Sequence, residues 1–472
     1  MLIKAAYTGI AALIIEGKTT HTIAMISQHN LHKALSEESK RKLQEFWREY
    51  AYLIIDEMSM ISKTFFALLS RIISIAKTTV GVDTPTDSFG GINVIICGDF
   101  HQFPPVAAPT YEALYYPANI QKDSADALLG RAIYEEFVTV VILKEQIRCV
   151  DPVWLDFLQH LRDGRVQEHH IKLLEGLVLN DPQCPKTDFT QAPWQNAGLV
   201  TPRHAVRMRW NESAVRKHCQ LSGNQLFVCE AEDTIKGREL DDREKDALAN
   251  RAWQNPQSKK RLQLPAKVEL AIGMKVMVTT NIETDLDITN GARGVIVDVV
   301  LNPGEIYSKE AEEVATAKLP LYLLVKLDWT RTTPLEGLQE AVIPVEPMTQ
   351  TLQIQLAGKD GKTIRRTVKR RQFPVTPAYA FTDYRAQGQT IPYVIVDIAT
   401  PPTGGLNLFN LYVTLSRSSG RSSIRLLRDF DSKVFQAAHS ADLLAEDDRL
   451  KALDAETQKQ WETMGRGRKM SD

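Results

Sequence analysis

Val94-Ile95-Ile96-Cys97-Gly98-Asp99-Phe100-His101-Gln102-Phe103-Pro104-Pro105-Val106 is an apolar strand that breaks at Gly98-Asp99 and runs through a glutamine into a double proline. Its apolar run suits a strand buried on both faces. Glycine permits a tight exit from the strand, and the prolines stiffen the loop that follows. A glutamine fixed on such a loop, Gln102, can sense a γ-phosphate or position a water. A merely structural loop needs no such combination. Upstream, Leu53-Ile54-Ile55-Asp56-Glu57 is a second strand, delivering two carboxylates at its carboxyl end. Paired acids there fit a magnesium site, with one acid holding Mg2+ and its neighbour activating the attacking water. On its own that shorter motif is weak, because solvated acids at the end of a strand are the ordinary alternative.

Outward from these two strands, residues 1–150 alternate short apolar runs with helical patterns. Leu2–Tyr7, Tyr52–Ile55 and Asn93–Cys97 read as strands, and Ser36–Tyr50 and Lys63–Thr78 as helices. That alternation predicts a parallel sheet covered by helices. Asp151–Gly164 carries Trp154, Leu155, Leu158 and Leu161 at helical spacing and stops at a glycine, and Trp210–His218 is another candidate helix. The character changes near Pro265. Residues 267–300 and 320–346 are rich in Val, Ile and Leu, with an Asn290-Gly291 turn, and Lys359-Asp360-Gly361-Lys362 reads as a second hairpin tip. After Pro377 the α/β pattern returns, with a strand at Tyr393–Ile398 and a helix opening near Leu408.

Length and composition bound the answer further. A chain of 472 residues exceeds one ordinary core and implies two to four domains. The net charge of −1 excludes binding driven by a basic tail, so any nucleic-acid contact must come from local patches or a lined channel. Cys97, Cys149, Cys184, Cys219 and Cys229 form no CxxC pair and keep no histidines at zinc spacing, which reads as reduced structural thiols. No apolar run approaches the roughly 20 residues of a membrane helix. The first residues lack a signal-peptide core and read as a buried strand that begins abruptly, the first hint of truncation.

Taken together, Asp56-Glu57-Met58-Ser59-Met60 and Gly98-Asp99-Phe100-His101-Gln102-Phe103-Pro104-Pro105 resemble motifs II and III of the petite-integration-frequency helicases, members of superfamily 1B related to RecD. Further matches follow in the family's order. Tyr7-Thr8-Gly9-Ile10-Ala11-Ala12, with Gly17, Thr19 and His21, is similar to motif Ia, and Leu143-Lys144-Glu145-Gln146-Ile147-Arg148 to motif IV. Gly273–Met277 with Asn281 and Asn290–Gly294 resembles the segment before the family's small inserted barrel. Phe381–Thr390 is similar to motif V, and Leu411–Arg417 to motif VI. Several motifs in one order are far harder to meet by chance than any one of them.

The resemblance implies an α/β fold with two RecA-like parallel-sheet motor domains, the first incomplete, and a small β-barrel-like insert in the second. The domains would span 1–150 for the first motor, 151–265 and 375–435 for the second, 266–374 for the β-rich insert, and 436–472 for a charged C-terminal helix and disordered tail. It implies ATP-dependent, Mg2+-dependent 5′-to-3′ DNA unwinding in repair, recombination and telomere maintenance, on single-stranded and forked DNA. It implies a nuclear location, with the mitochondrion as the alternative. Asp56 would hold Mg2+ and Glu57 would activate water. Gln102 would couple the γ-phosphate to DNA movement. Arg148 and Arg417 would reach the phosphate as arginine fingers, although surface ion pairing is the commoner fate of an arginine. Gln387 and Gly388 would face the nucleotide. Thr8, Gly9 and His21 would approach the DNA backbone, against a packed core histidine as the alternative for His21. Most members have His-Lys-Ser where this chain has Tyr384-Arg385-Ala386; Arg385 keeps a phosphate-binding cation, and Tyr384 could stack on a base.

The family's first motif, a glycine-rich loop ending in Gly-Lys-Ser/Thr, finds no counterpart. Ala12-Leu13-Ile14-Ile15-Glu16-Gly17-Lys18-Thr19 comes nearest, but four bulky or charged residues replace the flexible turn, and Glu16 repels phosphate. Lys362-Thr363 after Gly361 also lacks the leading glycine. The expectation is therefore a fragment unable to hydrolyse ATP alone, or else a catalytically dead remnant that binds single-stranded DNA. An NTPase of another class, such as a nucleotide-dependent switch, is disfavoured by the motif IV, V and VI resemblances. The densest basic run, Lys362–Arg371, contains Arg365, Arg366, Lys369 and Arg370 and reads as a DNA phosphate contact, against a solvated strand face. Trp329 is a further stacking candidate, against the core role most tryptophans serve.

Overall fold

A computed structural model describes residues 1–26, 36–78, 87–105, 108–250, 264–282, 288–330, 333–357, 363–402 and 405–465. The chain divides into two compact units, Met1–Arg203 with Phe381–Asp472, and His204–Ala380.

The first unit contains two parallel sheets. In one, β1 (Leu2–Ala6), β2 (Lys18–Thr19), β3 (Tyr52–Asp56) and β4 (Asn93–Ile96) lie in the order β2-β1-β3-β4. Each expected strand forms to within a residue or two. Helices α1 (Gly9–Ile14), α2 (Glu37–Trp47), α3 (Lys63–Lys77) and α4 (Ala125–Glu135) intervene. Their starts follow from capping: the hydroxyls of Ser36, Ser62 and Ser124 each accept the backbone N–H three residues on. Trp47, Phe66, Leu69 and Ile73 of α2 and α3 are fully buried against Leu53 and Ile55 of β3. Removing one such aromatic costs about 3–5 kcal/mol.

The second sheet runs Ala380–Phe381, β5 (Gly198–Val200), β6 (Val394–Val396) and β7 (Ile424–Leu426). Helices α5 (Pro152–Arg162), α6 (Glu168–Glu175) and α7 (Leu408–Leu415) flank it in sequence. Helix α5 begins where sequence places it, with Asp151 as the cap and Pro152 at its first position, and the chain leaves it at Gly164 with φ +66°.

The last helix, α8 (Ala441–Thr463), is charged, yet it packs on the first sheet's core. Its Leu443 joins the core of the first sheet, and buried Glu446 accepts a 2.6 Å hydrogen bond from Tyr134 of α4. The Gly-Arg tail from residue 466 lies outside the described residues.

The second unit is mostly β. Strands Lys275–Val278 and Arg293–Val300 pair antiparallel, but Asn290-Gly291 is not the two-residue tip expected: the connection between the strands runs over residues 279–292, and Gly291, at φ +99°, donates its N–H to the Val278 carbonyl at 2.8 Å. Strands Met348–Ala357 and Thr363–Gln372 form a ten-rung ladder. The expected tip, Lys359–Lys362, lies outside the described residues. Residues 204–250 fall in this unit rather than with a second motor lobe. The reason is packing: the helix His204–Ser222 puts fully buried Val215 among Leu226, Val268, Met274 and Phe373.

Candidate functional site

Strands β3 and β4 pair Ile55 with Ile96, so their carboxyl ends deliver Asp56-Glu57 and Cys97-Gly98-Asp99 side by side. The two exits are stitched together by Met58 N–H donating to the Cys97 carbonyl at 2.9 Å. A Cβ on Gly98 would sit 2.8 Å from the Met58 nitrogen, so only glycine lets the exits approach this closely. Glu57 itself adopts φ 56°, ψ 47°, a left-handed conformation that costs a non-glycine residue about 1–2 kcal/mol. Strain of that kind persists where surrounding structure imposes it.

The Glu57 carboxylate is buried, and its Oε2 accepts a 2.8 Å hydrogen bond from Gln387 Nε2. Burial raises its pKa. The Gln387 bond opposes that shift, Asp56 and Asp99 reinforce it, and the Arg417 charge opposes it. Gly388, at φ +77°, lies close enough that a Cβ there would be 3.3 Å from Glu57 Oε1. The Asp56 carboxylate accepts the Glu57 N–H at 2.8 Å, and burial lifts its pKa against that bond. The structure thus brings Asp56, Glu57, Gln387 and Gly388 together.

The two arginines lie nearby with their donors engaged. Arg417 is 2 % exposed. Its Nε donates to the Val413 carbonyl at 2.7 Å, Nη1 to the Gln389 carbonyl at 3.0 Å, and Nη2 to Ser416 Oγ at 2.9 Å. Burial and the Arg148 charge lower its pKa to about 9, while Glu57 favours the cation. In this arrangement Arg417 clasps the turn that carries Gln387 and Gly388. Arg148 donates to Thr390 Oγ1 at 2.8 Å and to the Ser416 carbonyl at 3.2 Å, and burial lowers its pKa.

Gln102 Oε1 and Gln387 Oε1 are both buried and, within the described residues, accept no hydrogen bond. Buried acceptors left unpaired are costly. Gln387 Oε1, on the side chain bonded to Glu57, fits an O–H donor of water, as on a hydrated Mg2+. Sequence reasoning missed Arg162, which binds Asp99 through Nη2–Oδ1 at 2.8 Å and Nε–Oδ2 at 3.2 Å. An unremarkable helical arginine gives no signal of that role.

A second group, Asp156, His160 and His170, has ligand atoms within 4.8 Å of one another. Its hydrogen bonds argue against a metal. His160 Nδ1 faces the Asp156 carbonyl at 2.9 Å and must donate to it. His170 Nδ1 accepts the Gln167 N–H, which puts the proton on Nε2, 2.9 Å from Asp156 Oδ2. The nitrogens facing Asp156 therefore carry protons.

The residues expected to meet DNA do not all stand free. Thr8 caps α1 by accepting the Ala11 N–H, and Gly9 is the first residue of that helix. His21 packs between Tyr7, 5.4 Å away, and Phe65, 4.8 Å away, and burial lowers its pKa. Tyr384 stacks on Phe103 with centroids 3.9 Å apart and remains 48 % exposed, so its partner here is a side chain. The carbonyl of Arg385 accepts from Gln389 Nε2. In the second unit, Arg365 and Lys369 are exposed, while Arg366 faces partly inward. Arg370 contradicts the expectation of a phosphate contact: it is 8 % exposed and forks onto Asp233 at 2.9 and 2.8 Å.

Residues 1–151 match the model of the PIF1-like helicase family. The ATP-dependent DNA helicase PIF1 of Danio rerio is 26% identical over 436 residues, covering 92% of this chain and 55% of the relative. That of Candida albicans is 26% identical over 498 residues, covering 91% and 49%. The chain spans about half the length of the curated relatives it matches. The crystal structure of Candida albicans Pif1 helicase superposes with a TM-score of 0.61 at 23% identity, covering 96% of this chain and 88% of that one. A Bacteroides Pif1 helicase in complex with ADP-AlF3 and ssDNA gives 0.59 at 20% identity, covering 96% and 87%. Residues 1–151 thus resemble the PIF1-like helicases, relatives align along most of the chain, and the α/β motor fold is shared with solved Pif1 structures.

Proposed function

We propose that this chain is the motor region of an ATP-dependent DNA helicase that translocates 5′ to 3′ on single-stranded and forked DNA. Its roles would be in genome maintenance: repair, recombination and telomere upkeep. Its compartment would be the nucleus, with the mitochondrion as the alternative. The observation that carries the reading is the 2.8 Å bond between Gln387 and Glu57, which joins the acid pair to a turn far along the chain that Arg417 clasps from behind. Asp56 would hold Mg2+, which when bound neutralises phosphate charge and orients water. Glu57, made more basic by burial, would take the proton of the attacking water. Gln102 would accept from that water through its unpartnered Oε1. Arg148 would face the phosphates. Arg417, whose donors are engaged, would shape the turn around Gln387 and Gly388 until nucleotide draws it away.

The second reading is a DNA-binding remnant without chemistry. No Gly-Lys-Ser/Thr turn preceded by a glycine-rich loop occurs in residues 1–472. The two readings share a DNA surface, which can be measured directly.

On strand Thr363–Gln372 side chains alternate, so Arg365, Lys369 and Arg371 share the outer face with Thr349, Thr351, Gln353 and Gln355 of the paired strand. That face carries cations, hydroxyls and amides suited to phosphates. Titration of a fluorescent oligo-dT at several salt concentrations tests it. Replacing Arg365 and Lys369 by Gln should flatten the plot of log K against log salt by about 0.7 per lost contact. An unchanged slope rejects the surface. Arg370→Gln should leave the slope alone but strand Asp233, lowering stability by about 3 kcal/mol in thermal or urea unfolding.

A further inference from the structure

The loop from Gly98 to Pro105 is tied down at every second residue. Asp99 is held by Arg162 of α5, and Phe103 stacks on Tyr384. Between them His101 is 1 % exposed and reaches the C-terminal segment on both sides. Its Nε2 lies 2.8 Å from Asp447 Oδ2 on α8, and its Nδ1 lies 3.3 Å from His439 Nε2. The same His439 Nε2 is 2.8 Å from the Arg162 carbonyl.

Hydrogen-bond logic orders the protons. A carbonyl can only accept, so His439 carries its proton on Nε2. That one N–H is shared between the Arg162 carbonyl and, more weakly, His101 Nδ1, which must then be bare, leaving His101 Nε2–H to donate to Asp447. Every polar atom of the His101 ring is satisfied in this one tautomer. Burial alone would raise the Asp447 carboxyl, but the His101 bond and the Arg162 charge bring it below the usual carboxylate range. Gln102, the next residue, is left with its Oε1 buried and unpartnered.

We propose that Asp447 and His439 are positioning residues that hold His101 and thereby aim Gln102, so that the C-terminal helix sets the geometry of the phosphate-sensing loop. The loop's sensing role rests on the helicase reading; the latch itself does not. A helix more than three hundred residues away in sequence then becomes part of the site, reached through a hydrogen bond to an ionised carboxylate as well as through the core packing of Leu443.

Peptide-level hydrogen exchange on residues 1–472 tests this without nucleotide or DNA, so its failure and that of the helicase reading are separable. Asp447→Ala should speed exchange of the 99–103 amides by about tenfold, the scale of one lost hydrogen bond, while β1 and α3 are unchanged. Asp447→Asn keeps an acceptor oxygen and should restore the slow rate. Asp448→Ala, one residue on and exposed, should do nothing. Should α8 detach in the alanine variant, nitrogen NMR of the unmodified protein decides: His101 must be protonated on Nε2 and bare on Nδ1. Unchanged 99–103 exchange in Asp447→Ala, an asparagine variant as fast as the alanine one, or the opposite His101 tautomer each overturns the proposal.

Discussion

Residues 1–472, purified and mixed with ATP, Mg2+ and single-stranded DNA, are expected to release no phosphate above background. The acid pair, Gln102 and the arginines supply carboxylates, an acceptor and cations. What wraps triphosphate oxygens in motors of this kind is a nest of backbone N–H groups at the start of a helix. Within the described residues, helix α1 begins at Gly9 with its first turn already engaged: Thr8 Oγ1 accepts the Ala11 N–H and the Thr8 carbonyl accepts the Ala12 N–H. The Leu13–Glu16 stretch before Gly17-Lys18-Thr19 is the end of that helix, not an open turn. Loss of the phosphate cradle removes interactions each worth a factor of about a hundred or more in rate. A coupled-enzyme assay settles the matter: a DNA-stimulated rate that disappears in Glu57→Gln would refute the expectation.

The second large effect is on stability. Arg417→Ala should lower the unfolding free energy by about 3–5 kcal/mol, because it leaves the Gln389 carbonyl without its donor, takes one of two donors from the Val413 carbonyl and empties the space of a buried side chain. In a unit of this size that corresponds to a drop of roughly 10 °C in melting temperature. Arg417→Lys should recover little, since an ammonium cannot fork between carbonyls on two segments. A calorimetric melt of the three proteins gives the answer, and an alanine variant melting within a degree or two of the parent would mean the buried guanidinium contributes little.

Much of the first unit was legible because its signals are local. Ser36, Ser62 and Asp151 announce helix starts, and the apolar runs at 52–55 and 93–97 announce strands, but the second is an edge strand with Ile95 51 % exposed, not the strand buried on both faces that its letters suggest. The approach of Glu57 to Gln387 was implied by motif order, but its distance was not. The misses are all long-range. Arg370 looked like its neighbours in a basic run, and only the pairing of its strand with Glu232–Ile235 brings Asp233 opposite it. Tyr384 read as a base-stacking ring because nothing local places Phe103 beneath it. The boundary at residue 204 escaped notice because the helix holding Val215 packs on strands far along the chain, Lys267–Leu270 and Val375–Pro377.

The hairpin of the second unit carries a constraint of its own. Alternate residues of Thr363–Gln372 face inward, where Val368 is fully buried and Arg370 and Gln372 are buried on specific partners, and outward in a row of cations. The two roles are written in the same string of letters, one phase apart. Exchanging one cation for another disturbs only the outer row, whereas gaining or losing a single residue slides Lys369 into the core and Val368 into water. Change at this surface is therefore free in chemistry and frozen in length.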